Sequence, residues 1–124
     1  MSKNVTLLYV DDEPINLMLF ETCFKDKYTV LTSLSGSEGL KILEHNSNIS
    51  AIVSDMKMPG MNGIDFIRQA KAVYPKIACY ILTGFNLSEE IAKALDEGLI
   101  LNCFFKPLNI EEIENAINNA GHLI

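Results

Sequence analysis

The sequence has no tryptophan, two histidines, four prolines and three cysteines, and these shortages each exclude something. Cys23, Cys79 and Cys103 are odd in number and far apart, each among apolar neighbours. Such spacing suits neither a disulfide framework nor a zinc site, so they read as small buried hydrophobes in a reducing compartment. His45 and His122 are isolated, near predicted helix ends, and read as surface residues. Basic residues are the minority, 10 against 16 acidic, and a net charge of −6 lacks the basic face that nucleic acid or an anionic membrane requires. No apolar run approaches the ~20 residues of a membrane helix. Met1-Ser2-Lys3-Asn4 lead into a predicted strand with no signal peptide. There is no Walker phosphate loop and no Gly-x-Gly-x-x-Gly fingerprint; Ser35-Gly36-Ser37-Glu38-Gly39 is glycine-spaced but reads as a capped helix start. What survives is a soluble, cytoplasmic protein with no direct nucleic-acid or membrane partner.

What is present is a strict alternation. With 124 residues, 48% hydrophobic and 21% charged, the chain reads as one domain over 1–124 around a single core. Val5 to Val10 is a near-continuous apolar run, which predicts a strand buried on both faces. Pro14 opens a helix whose stripe is Ile15, Leu17, Met18, Phe20, Cys23 and Phe24, up to Lys25. Tyr28 to Thr32 is shorter and more polar, as an edge strand tends to be. Ser35 and Glu38 form a capping-box signature for a helix with Leu40 and Leu43 inward, fading by His45 to Asn48.

Ala51 to Asp55 is the third strand, ending abruptly on a carboxylate before Pro59, Gly60 and Gly63 break the backbone. Asn62 caps the next helix, with Phe66, Ile67 and Ala70 inward and Pro75 just past its end. Ile77 to Leu82 is the fourth strand, ending at Thr83-Gly84. Ser88 caps a helix with Glu89 and Glu90 in its first turn and Gly98 as its stop. Leu99 to Phe105 is the fifth strand, ending at Lys106-Pro107. Asn109 and Glu112 cap a last helix with Ile110, Ile113, Ala116, Ile117 and Ala120 on one face, closed by Gly121. Met18, Met56, Met58 and Met61 read as packing and loop residues, not a metal set. Five strands alternating with five helices predict an α/β fold, a parallel sheet with helices on both faces.

In a parallel sheet all C-terminal strand ends share one rim, where the chemistry of open α/β sheets sits. Four strands, read as the buried ones, end on Asp11-Asp12, Asp55, Thr83 and Lys106. Three carboxylates in a partly desolvated crevice repel one another, and a divalent metal removes that cost. Oxygen ligands in small number suit Mg2+, completed by waters and phosphate oxygens. A carboxylate beside it is a nucleophile towards phosphorus, and Thr83 and Lys106 suit the oxygens of a transferring phosphoryl group. Each piece alone has a plainer reading: Asp11, Asp12 or Glu13 as helix N-terminal charge, Asp55 and Thr83-Gly84 as turn residues, Lys106-Pro107 as a strand exit. Their conjunction at one rim is what carries the argument.

Val10-Asp11-Asp12-Glu13-Pro14, Asp55-Met56-Lys57-Met58-Pro59-Gly60-Met61-Asn62-Gly63, Thr83-Gly84 and Lys106-Pro107, in this order, resemble the receiver domains of two-component response regulators over the whole chain. The resemblance implies a (βα)5 doubly wound, flavodoxin-like sheet in the order 2-1-3-4-5. It implies that Asp55 accepts a phosphoryl group from a phosphohistidine on a sensor histidine kinase or a histidine phosphotransfer protein. Mg2+ would be held by Asp12 and Asp55 directly, by Asp11 through water, and by the Lys57 backbone carbonyl. Thr83 and Lys106 would hold the phosphoryl group, and the Lys106-Pro107 bond would be cis. Neither histidine here suits a donor, so the phosphoryl group comes from outside.

The family's aromatic switch position, three residues before the lysine, is Cys103 here; the resemblance then shifts attention to packing around Phe85 or Phe104. Lys57 and Phe85 occupy the positions that tune the phosphoryl lifetime, with Phe85 as a shield. A downstream effector or a second copy would bind the face of the fourth helix, fifth strand and fifth helix. Such a domain is no turnover enzyme; it catalyses only its own phosphorylation and dephosphorylation. Two alternatives remain: a pseudo-receiver acting as an interaction module without phosphate, or an aspartyl phosphatase. The latter needs a second acid two residues beyond Asp55, where Lys57 stands.

Overall fold

The structure is a computed structural model that describes residues 5–84 and 86–121; Met1 to Asn4, Phe85 and His122 to Ile124 lie outside the described residues, with the expectations attached to them. The elements are β1 (Thr6–Val10), α1 (Pro14–Phe24), β2 (Thr29–Ser33), α2 (Gly36–His45), β3 (Ile49–Ser54), α3 (Gly63–Val73), β4 (Ala78–Thr83), α4 (Glu89–Asp96), β5 (Asn102–Phe105) and α5 (Ile110–Gly121). The five strands are parallel in the order β2-β1-β3-β4-β5. The expected doubly wound α/β sheet is therefore present.

Successive strand residues point to opposite faces, and the core divides accordingly. Leu8, Val10, Ile52 and Ile81 pack with Ile64, Phe66, Ile67 and Ile91 of α3 and α4. Leu7, Tyr9, Val53 and Leu82 pack with Phe20, Phe24, Ile113 and Ile117 of α1 and α5. The caps read from the sequence are made: Ser35 accepts from Glu38 N at 3.1 Å, Asn62 from Asp65 N at 2.8 Å, Ser88 from Ile91 N at 3.2 Å and Asn109 from Glu112 N at 3.0 Å. Gly98 follows α4 with φ +76°, the left-handed stop that favours glycine.

Several expectations need correction. Ile15 and Met18 face solvent, together with Leu19, because α1 is apolar nearly all round and its sequence designates no single face. β5 begins at Asn102, three residues late: Leu99 N and Ile100 N are held by Ala94 O at the end of α4, so the apolar run there belongs to the connection. β5 is also an edge strand, with Asn102 and Phe105 exposed, so only three strands are interior. Ile110 is exposed rather than turned inward. Cys79 is buried but Cys23 and Cys103 are only half-buried; all three are free thiols. Among the described residues no helix is long and apolar enough to cross a membrane.

Candidate functional site

The backbone ladders bring the acids together. Asp11 N donates to Ser33 O at 3.1 Å, extending β1 along β2, and Asp55 N donates to Val10 O at 2.8 Å, extending β3 along β1. Asp11, Asp12 and Asp55 thus stand on adjacent strand ends, and each offers a carboxylate oxygen within 4.8 Å of the others. Asp55 is the residue after β3, not its last, and is buried; Asp11 is wholly buried and Asp12 half-buried. Gly63 lets the start of α3 approach the Asp55 backbone. Its N–H donates to Met56 O at 2.9 Å, and a Cβ there would collide with the Asp55 carbonyl oxygen and with Ile81.

Lys106 arrives from the other side. Its N–H donates to Thr83 O at 2.8 Å, continuing β5 along β4. Its ammonium lies 3.4 Å from Asp11 Oδ2 and 3.6 Å from Asp55 Oδ1, bridging the two carboxylates. Thr83 ends β4 at the same rim and is fully buried. Burial pushes the Asp55 pKa above its ordinary range; Lys106 opposes that, Asp11 adds to it, the Met56 N–H at 2.9 Å opposes it, and Asp12 adds again. The site keeps a net excess of negative charge, with donors of the hard oxygen type that suits Mg2+. The residues present fit such an ion.

A family model for the response regulator receiver domain matches residues 7–118. The chain belongs to that family. It is 30% identical over 115 residues to sporulation initiation phosphotransferase F of Bacillus subtilis, covering 92% of this chain and 91% of that protein. It is 27% identical over 118 residues to the hydrogenase transcriptional regulatory protein HoxA of Cupriavidus necator, covering 95% of this chain but only 24% of HoxA. The chain spans about a quarter of that relative's length. A solved receiver domain from Clostridium thermocellum is 35% identical with a TM-score of 0.87, covering 94% of this chain and 93% of that one.

As a receiver of two-component systems the chain assembles four of its expected site residues directly: Asp11, Asp12, Asp55 and Lys106. Thr83 joins them at the rim through the β4–β5 ladder. Lys57 is exposed just past Asp55. The Lys106-Pro107 bond is cis, as the resemblance implied. At the aromatic switch position, Cys103 packs at the margin of the α3–α4 layer, while Phe104 is buried on the opposite face, its ring 5.6 Å from that of Tyr80.

One residue of the site escaped sequence reasoning. Tyr9, read only as part of a buried strand, donates its hydroxyl to Asp11 Oδ2 at 2.7 Å. Burial first, then that hydrogen bond, holds the Tyr9 proton far above the ordinary tyrosine value. The signal was available: Tyr9 and Asp11 are two apart at a strand end and so share a face.

Proposed function

We propose that this receiver takes a phosphoryl group on Asp55 and passes the event on through its surface. The observation that carries this is the Lys106 ammonium bridging Asp11 and Asp55, two of the three carboxylates that converge there. The P–N bond of a donor phosphohistidine breaks as a P–O bond forms to an Asp55 carboxylate oxygen. Lys106 stands ready to pair with the incoming phosphoryl oxygens, and buried Thr83 is the hydroxyl at the same rim. Asp11, Asp12 and Asp55, with the Lys57 backbone carbonyl, would hold Mg2+. When bound, that ion neutralises the carboxylates and draws phosphoryl oxygens towards Asp55.

The donor is a sensor histidine kinase or a histidine phosphotransfer protein. Its approach is supported by Ile15, Met18 and Leu19, exposed on α1, and by a cavity of about 210 Å³ that Leu19 lines with Phe20, Lys106, Pro107 and Leu108. Output goes to an effector or a second copy across the α4–β5–α5 face, where Leu101, Phe105 and Ile110 are exposed. The domain works in the cytoplasm, over 1–124, and turns over no substrate beyond its own phosphoryl group. Incubation with Mg2+ and acetyl phosphate, followed by intact-mass measurement, tests this. The expected outcome is a stable phosphate adduct on the wild type that Asp55→Asn abolishes. An unmodified wild type would instead mark a pseudo-receiver, and sustained phosphate release a phosphatase.

A further inference from the structure

We infer that Tyr9 is a positioning residue of the site, a phenol that sets Mg2+ binding without itself serving as a ligand. The inference rests on reading Asp11, Asp12 and Asp55 as the Mg2+ site. Asp11 is wholly buried and its two oxygens are held from different directions. Oδ1 accepts the Glu13 N–H at 3.0 Å, and Oδ2 accepts the Tyr9 hydroxyl at 2.7 Å while lying 3.4 Å from Lys106. A carboxylate oxygen takes about two such partners, so Tyr9 shares Oδ2 with the lysine.

That sharing decides where Lys106 sits. The short hydrogen bond from a phenol disperses charge on Oδ2, which weakens that oxygen's hold on the ammonium. Lys106 then stays between the two acids, 3.6 Å from Asp55, instead of collapsing onto Asp11. The Tyr9 ring cannot swing away. It is buried in β1 and stacked on Phe20 of α1, with centroids 4.1 Å apart and planes 7° from parallel. Hydrogen bonds to a metal site's carboxylates fix their orientation, and their loss typically weakens metal binding by about 10–100-fold.

The test is a calorimetric Mg2+ titration of the full chain as wild type, Tyr9→Phe and Tyr80→Phe. Tyr9→Phe keeps the ring and its stack and removes only the hydroxyl. Tyr80 is the control, a second sheet tyrosine whose hydroxyl donates to Ala116 O at 3.2 Å, in α5. The expected result is affinity lowered about tenfold or more in Tyr9→Phe and unchanged in Tyr80→Phe. Equal affinity in wild type and Tyr9→Phe overturns the inference, as does an equal loss in both variants.

Should Tyr9→Phe fail to fold, ring resonances of the wild type answer the question. Mg2+ should shift those of Tyr9 and leave those of Tyr80 in place; a still Tyr9 ring overturns the inference. A wild type that binds Mg2+ in a Tyr9-dependent way yet takes no phosphate from acetyl phosphate overturns the phosphorylation reading alone. A wild type that binds no Mg2+ overturns both.

Discussion

The two apolar layers on either side of the sheet differ in kind. Under α2, α3 and α4 the buried residues are mostly aliphatic, with Phe66 the one buried ring among the described residues. Against α1 and α5, six rings, Tyr9, Phe20, Phe24, Tyr28, Tyr80 and Phe104, stand among the aliphatic residues. Aliphatic side chains supply area and shape, whereas a buried tyrosine also carries a hydroxyl that must find a partner. Those hydroxyls reach Asp11 Oδ2, Asn118 Oδ1 and Ala116 O. One layer closes the fold; the other closes it and also holds the site.

The difference can be broken by emptying each layer in turn. Phe20→Ala removes the ring beneath Tyr9 and should cost about 3–5 kcal/mol of stability by urea unfolding. It should also weaken Mg2+ binding in the molecules that remain folded, because the Tyr9 ring loses its stack. Ile67→Ala empties the aliphatic layer, at about 2–5 kcal/mol, and should leave Mg2+ affinity unchanged. An Ile67→Ala protein that lost as much Mg2+ affinity would erase the distinction between the layers.

How much of this the sequence carried depends on the kind of signal. Chain order and strand ends carried the fold, since β1, β3, β4 and β5 each stop at a residue whose chemistry differs from the run before it. The same ends carried Asp11, Asp12, Asp55, Thr83 and Lys106. Periodicity misleads where apolar residues surround a helix: in α1 they lie on the outer face as well as the inner, so Ile15 and Met18 fall on an apparent stripe yet face solvent. It misleads again at Leu99 to Leu101, where buried Ile100 fills the α4–β5 connection and mimics a strand. Tyr9 was hidden for a third reason. In a buried strand a tyrosine passes for a hydrophobe, and only a pairing with the residue two places on reveals the hydroxyl's task.

The rim lies between the layers and responds in the opposite sense. Asp55 has its pKa raised by burial first, so the folded protein holds that proton to higher pH than the unfolded chain does. The stability penalty is absent below the unfolded value, about 3.9. It grows as pH rises through the raised folded value and persists above it. Asp55→Asn removes the charge, so at neutral pH in EDTA it should be more stable than wild type by about 0.5–2 kcal/mol. The gain should fade on acidification and shrink when Mg2+ stabilises the wild type. Urea midpoints across pH measure this. A variant less stable than wild type at neutral pH would mean that the attraction of Lys106 outweighs burial and repulsion together.

The smallest effect belongs to the outer surface of the aliphatic layer. α3 and α4 are tied across solvent by Arg68 and Glu97 at 3.1 Å, and by Asn62 and Glu90 at 3.4 Å. Both side chains of the ion pair are substantially exposed, so water and salt screen the attraction and ordering two long chains offsets much of it. If the aliphatic layer joins these helices by packing alone, Arg68→Ala should cost about 0.2–1 kcal/mol, and less at high salt. Urea unfolding at two ionic strengths decides it. A loss near that of Ile67→Ala would mean that surface charge, not Ile64, Phe66, Ile67 and Ile91, holds α4 against α3. The aliphatic layer would then depend on polar handles as much as the aromatic one does.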